Sequence, residues 1–160
     1  QKVMGTQYLL LVCNRGHDNL DTCSSENINN SQTLPAIGPH QKTTTFYFSK
    51  TDNGEFSEGS ETIPYFIRNS YDIATATYLE EFLFDSNGKM VFGFVKENAY
   101  PAVELRVYIK NGIVILDRKE TKETQTHPIN MELVNANHND VKNVVNKCDR
   151  LVEILRATAD

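Results

Sequence analysis

Between Thr75 and Asp117 the apolar runs are cut by Asp85-Ser86-Asn87-Gly88, by Asn98-Ala99-Tyr100-Pro101 and by Asn111-Gly112. Asn-Gly accepts the positive φ that tight hairpin turns require, and runs of Val, Ile, Phe and Tyr suit a pleated, half-buried surface. The stretch therefore predicts four antiparallel strands in a meander. Ser86-Asn87-Gly88-Lys89 fits a two-residue loop or a type I turn closed by a bulge, with Gly88 left-handed. The bulge is favoured, because it sets Phe84 against Met90, Phe82 against Phe92 and Leu79 against Val95. A slip of one residue would mix the two faces.

Pairing Glu97 with Ala102 across the next connection extends the pattern and puts Phe94 opposite Leu105 and Phe92 opposite Val107. One face then carries Phe82, Phe84, Met90, Phe92, Phe94, Leu105, Val107 and Ile109, the natural seat for a helix. The other carries Leu79, Glu81, Leu83, Val91, Gly93, Val95, Glu104, Arg106 and Tyr108. Apolar ground with Arg and Tyr as polar anchors suits a ligand or partner, and Glu81, Leu83, Arg106 and Tyr108 are its candidate contacts. The competing reading is that residues 1–42 cover this face as a second layer.

Thr43 to Ser49 and Ile63 to Tyr71 read as further strands, with Pro64 near the start of the second, where a missing amide does least harm. The acidic stretch Lys50 to Glu61 matches no complete calcium loop and reads as an exposed turn. Asp117 to His127 is charged, an exposed strand end and linker, and Pro128 to Val134 adds a short apolar segment. The period then changes: Val141, Val144, Val145, Cys148, Leu151, Val152 and Leu155 recur at helical spacing, with Asn139 or Asp140 able to cap the start. The 160 residues form a single domain: a polar segment of uncertain structure at 1–42, a sheet at 43–134 and a C-terminal helix at 138–157. The expected class is α+β, an antiparallel meander of five or six strands with the helix packed on one face.

A net charge of -5 and a pI near 5.4 argue against a phosphate-neutralising surface, so nucleic acid is not an expected partner. The longest apolar run, Tyr8 to Cys13, falls far short of the roughly 20 residues of a transmembrane helix. Tyr8 to Val12 is too short for periodicity to separate strand from helix, and Asn14 to Pro39 reads as loop. Cys13 and Cys23 can close a short disulfide in an oxidising compartment and stay reduced in the cytosol; Cys148, inside the helical stripe, reads as a buried thiol. His17, Asp18, Asp21 and Cys23 lack the second ligand pair of a zinc site, so no metal and no cofactor is assigned. Glu80 and Glu81 are strand neighbours that point to opposite faces and cannot act on one substrate. Neither His127 nor His138 stands beside a nucleophile motif, so no catalytic residue is assigned.

The run Ala76 to Lys96, followed by Glu104 to Gly112, resembles a loose group of uncharacterised bacterial exported proteins and lipoproteins. These end in a helix after a meander of aromatic-rich strands with Asn-Gly or Asp-Gly turns. The resemblance spans about residues 43–157 and implies a secreted or periplasmic location, membrane-anchored before processing in the lipoprotein case, with no established activity. The opening Gln in place of Met agrees with removal of a signal, or with a trimmed start. The expected function is non-catalytic binding of a small molecule or a protein. The alternatives are a hydrolase whose site forms only in three dimensions, and a structural subunit of an envelope assembly.

Overall fold

The structure is a computed structural model; it describes the backbone of residues 7–14, 22–34, 38–51, 61–99, 101–122, 125–126 and 130–159, and most side chains from residue 42 onward within these ranges. The strands are β1 (Gln7–Asn14), β2 (Thr22–Leu34), β3 (Gly38–Thr51), β4 (Glu61–Ile73), β5 (Ala76–Phe84), β6 (Met90–Glu97), β7 (Ala102–Lys110), β8 (Ile113–Lys122), β9 (Gln125–Thr126) and β10 (Asn130–Val134), followed by α1 (Asn139–Ala159). They form one antiparallel sheet in chain order through β8, with β10 beyond β8 and β9 pairing with the last residues of β8. The α+β meander with a C-terminal helix is as expected, but five or six strands is too few. The Asn- and Ser-rich segment read as loop supplies β2, which pairs with β3 from Cys23↔Ser49 to Leu34↔Gly38. Weak strand propensity is overridden there by a long, well-defined neighbour. Tyr8 to Val12 lies in β1, a strand. The backbone register places Cys13 directly opposite Cys23. His17, Asp18, Asp21 and most of the Lys50–Glu61 loop lie outside the described residues.

The first hairpin turn is the bulged one. Gly88 has φ 70°, its N–H donates to the Asp85 carbonyl at 3.0 Å, and Asp85 Oδ1 accepts from the N–H groups of Asn87 and Lys89, both at 2.9 Å. Phe84 pairs with Met90 as expected. A second irregularity follows at once: Leu83 pairs with Phe92, which leaves Val91 as an extra residue on β6. Beyond it Phe82 opposes Gly93 and Leu79 opposes Lys96, instead of Phe92 and Val95. Across the next connection Glu97 pairs with Val103 rather than Ala102, so Phe94 faces Arg106 rather than Leu105.

The consequence is a face exchange confined to β6. Gly93 and Val95 join Phe82, Leu105 and Val107 beneath α1, and Phe92 and Phe94 move to the opposite face, which reverses the expected places of all four. The physical reason is the approach of the helix. A Cβ on Gly93 would lie 2.6 Å from Val144 Cγ1, so two phenylalanine rings on this strand could not share the space that α1 fills. The buried core joins Phe46, Ile67, Phe82, Val107 and Leu116 of the sheet to Val141, Val144, Cys148, Leu151 and Leu155 of the helix. Cys148 is 2% exposed, and burial, aided by the neighbouring charge of Asp149, pushes its thiol up to about 12. It is an apolar filler, not a nucleophile.

The helix is capped by His138 rather than by Asn139 or Asp140. Its carbonyl accepts the first helical bond from Lys142 at 3.0 Å, and its Nδ1 accepts from the Asp140 N–H at 3.3 Å. Arg118 on β8 pins the same end by donating to Asp140 at 2.7 Å. Asp117, expected in an exposed linker, is 4% exposed because β8 continues through it and β10 covers its outer side.

Candidate functional site

The register orders the face away from α1 into rows running across the strands. One row is apolar: Tyr47, Phe66, Leu83, Phe92, Tyr108 and Ile115, each the direct partner of the next. Leu133 on β10 extends it and is 78% exposed. The adjacent row is charged: Thr45, Arg68, Glu81, Phe94, Arg106 and Asp117. The expected contacts Glu81, Leu83, Arg106 and Tyr108 therefore do share one face, in two neighbouring rows.

They differ in freedom. Leu83 and Tyr108 are 43% and 38% exposed, and Tyr108 tilts against Phe92 with ring centroids 5.1 Å apart. Glu81 pairs with Arg68 at 3.5 Å. Arg106 is the most engaged: it donates to Glu104 at 3.0 Å, stands 3.6 Å from Asp117 and lies 4.9 Å over the Phe94 ring. Arg106 Nη1 and Asp117 Oδ1 are buried without a hydrogen-bond partner, so this ion pair is held by charge more than by directed bonds. Burial works to raise the Glu104 carboxyl, but hydrogen bonds from Lys96 and Arg106 outweigh it and hold it below the usual carboxylate value. Arg106 thus stiffens the sheet, and Leu83 and Tyr108 supply the free apolar area. Beside the row, near the β7–β8 turn, Val91, Tyr108, Ile113 and Ile115, with Lys110 and Asn111, border a hollow of about 700 Å³.

A second site, unanticipated from sequence, lies under α1. Thr44 Oγ1 donates to Asn69 Oδ1 and Asn69 Nδ2 donates to Glu80 Oε2, both at 2.8 Å. Glu80 Oε1 accepts from Tyr71 at 3.1 Å and from Lys147 of the helix at 2.6 Å. Glu80 is 4% exposed, and its carboxylate is satisfied by three donors. Burial, with the Glu80 charge and hydrogen bond next, raises the Tyr71 hydroxyl well above its ordinary value. The Tyr71 ring stacks on Tyr78 at 4.7 Å, with planes 3° apart. Alongside opens a cleft of about 260 Å³.

The sequence held part of this signal. Glu80 alternates with Phe82 on β5, which aims a carboxylate at the helix, and Lys147 sits between Val144 and Leu151 on the packed side of α1. Glu81, its neighbour on β5, points to the opposite face and takes no part in this cluster.

Comparison of the chain with protein-family models, with characterised proteins and with solved structures found no match. Among the described residues no helix is long and apolar enough to cross a membrane.

Proposed function

We propose that this protein is a non-catalytic interaction domain, secreted or periplasmic, that binds through the open face of its sheet. The observation that carries the reading is the exposed apolar row from Tyr47 to Leu133, which crosses seven strands without interruption. Sheets commonly leave one face to water, but that face is then polar, and a contiguous apolar strip rimmed by charge marks an interaction surface.

The surface that complements it best is its own copy. With a two-fold axis in the interface along β6, the apolar row lies on itself reversed: Leu83 meets the partner's Tyr108 and Phe66 meets the partner's Ile115. The charged row does likewise, placing Glu81 over the partner's Arg106; Arg68 comes over the position of the partner's Asp117, which is buried and already held by Arg106 of its own chain. Opposite charges and like apolar groups then coincide, which is the condition for an isologous interface. Seven strands at about 4.8 Å and two rows at about 7 Å give a footprint of roughly 30 by 14 Å, the size of a small, weak interface. Sheets packed this way align within about 30°.

Sedimentation velocity over a wide concentration range tests this. The wild-type protein should pass from monomer to dimer, and Leu83→Lys should stay monomeric with an unchanged unfolding midpoint, since that side chain is exposed. A wild-type protein that remains monomeric throughout rejects self-pairing.

A further inference from the structure

The charge balance of the cleft under α1 calls for a ligand. Three cations, Lys42, Lys147 and Arg150, line it together with one carboxylate, Glu80. Lys147 is committed to Glu80 at 2.6 Å. Among the described residues no ion pair or hydrogen bond joins Lys42 or Arg150 to an acidic group. Three cations and one carboxylate give the lining a net charge of +2 in a chain of net charge -5. Lys42 is partly buried: burial lowers its ammonium and the Arg150 charge works in the same direction, with Glu80 opposing both. A charge taken out of water without a partner is costly, and an anion seated beside it would offset that cost.

The other walls are apolar. They are formed by Ile73 at the end of β4, by Leu151 and Ile154 on α1 and by Tyr71, whose ring is stacked on Tyr78. Glu80 fixes Lys147 and Tyr71 in place, so the polar floor is rigid, and the cations at the rim are left to act on what enters. The volume, about 260 Å³, has room for roughly nine water-sized groups.

We propose that this cleft binds a small organic anion, a single carboxylate or phosphate head held by Lys42 and Arg150 with a compact apolar body laid against Ile73, Leu151, Ile154 and Tyr71. The site lies on the side of the sheet opposite the interaction face, so the two are independent. A cleft bounded by both helix and sheet also ties ligand occupancy to the seating of α1.

Benzoate and phenyl phosphate are suitable probes, with benzyl alcohol as the uncharged counterpart and inorganic phosphate as the head alone. Titration followed by NMR should give saturable shifts at the Ile154 methyls and the Tyr71 ring for one or both aromatic anions, and the tighter of the two assigns the head group. Benzyl alcohol and inorganic phosphate should each bind at least tenfold more weakly than the better anion. Lys42→Gln and Arg150→Gln should each weaken that anion at least fivefold; among the described residues neither makes an ion pair, so both variants should keep the wild-type circular dichroism and melting midpoint. The proposal is overturned if benzyl alcohol binds as tightly as the anions, if both variants bind like wild type, or if the shifts map outside the cleft. The oligomeric state does not enter any of these readings.

Discussion

Gly93 shows how one missing side chain sets the distance between helix and sheet. It sits at a strand position where Val144 of α1 comes within 2.6 Å of the point a Cβ would occupy. Gly93→Ala should destabilise the protein by about 1 to 3 kcal/mol through overpacking, measured by urea unfolding. Combining it with Val144→Ala should recover part of that loss, because the two residues share one contact. Equal losses in the two backgrounds would mean that the helix does not rest on this glycine. Glu104 supplies the pH signature of the open face. Its folded value is depressed by Lys96 and Arg106, so its contribution is complete above the unfolded value of 4.5 and is lost as pH falls through the lower folded value. Stability should drop on acidification through this window, and Glu104→Gln should flatten that part of the profile. An identical pH profile for wild type and variant would contradict the assignment.

Among the elements, the strands and the helix were legible in unequal measure, for physical reasons. The turn at Asp85 to Lys89 could be read because Asn87-Gly88 has few backbone alternatives, and the faces of β5 and β7 followed from strict alternation. The helix was equally plain in its stripe of Val144, Cys148, Leu151 and Leu155. The bulge at Val91 left no local mark: it answers to the packing of Val144 against Gly93, a contact between residues 51 positions apart. The Glu80 cluster was hidden for a similar reason, since Thr44, Asn69, Tyr71 and Lys147 come from three other elements. β2 was missed because its Asn and Ser residues favour turns in isolation and become a strand only between β1 and β3. The register of that hairpin carries a prediction. Directly opposed strand positions lie within the span a disulfide bridges, so under oxidising conditions Cys13 and Cys23 should be found joined by mass spectrometry without reductant, with Cys148 free. Recovery of all three thiols alkylated from the unreduced protein under those conditions would reject the bridge.

At the scale of the whole molecule the sheet divides the protein into unlike halves. The side under α1 holds the core and a cationic cleft, and the other side presents an apolar row beside a row of alternating charge. Stability and the proposed binding are accordingly separable: truncations beneath the helix should unfold the protein, and changes to Leu83 or Tyr108 should leave it folded and alter only what it contacts. In the proposed dimer this open face meets its own copy about a two-fold axis along β6. Isotope-filtered NOE spectroscopy on a mixed sample of labelled and unlabelled protein tests it most directly. Within one chain Leu83 and Tyr108 are two strands apart, roughly 10 Å, too far for a strong cross-peak. Self-pairing about this axis should give intermolecular cross-peaks between the Leu83 methyls and the partner's Tyr108 ring. A dimeric sample whose intermolecular cross-peaks arise from α1 instead, with none from Leu83, would contradict it.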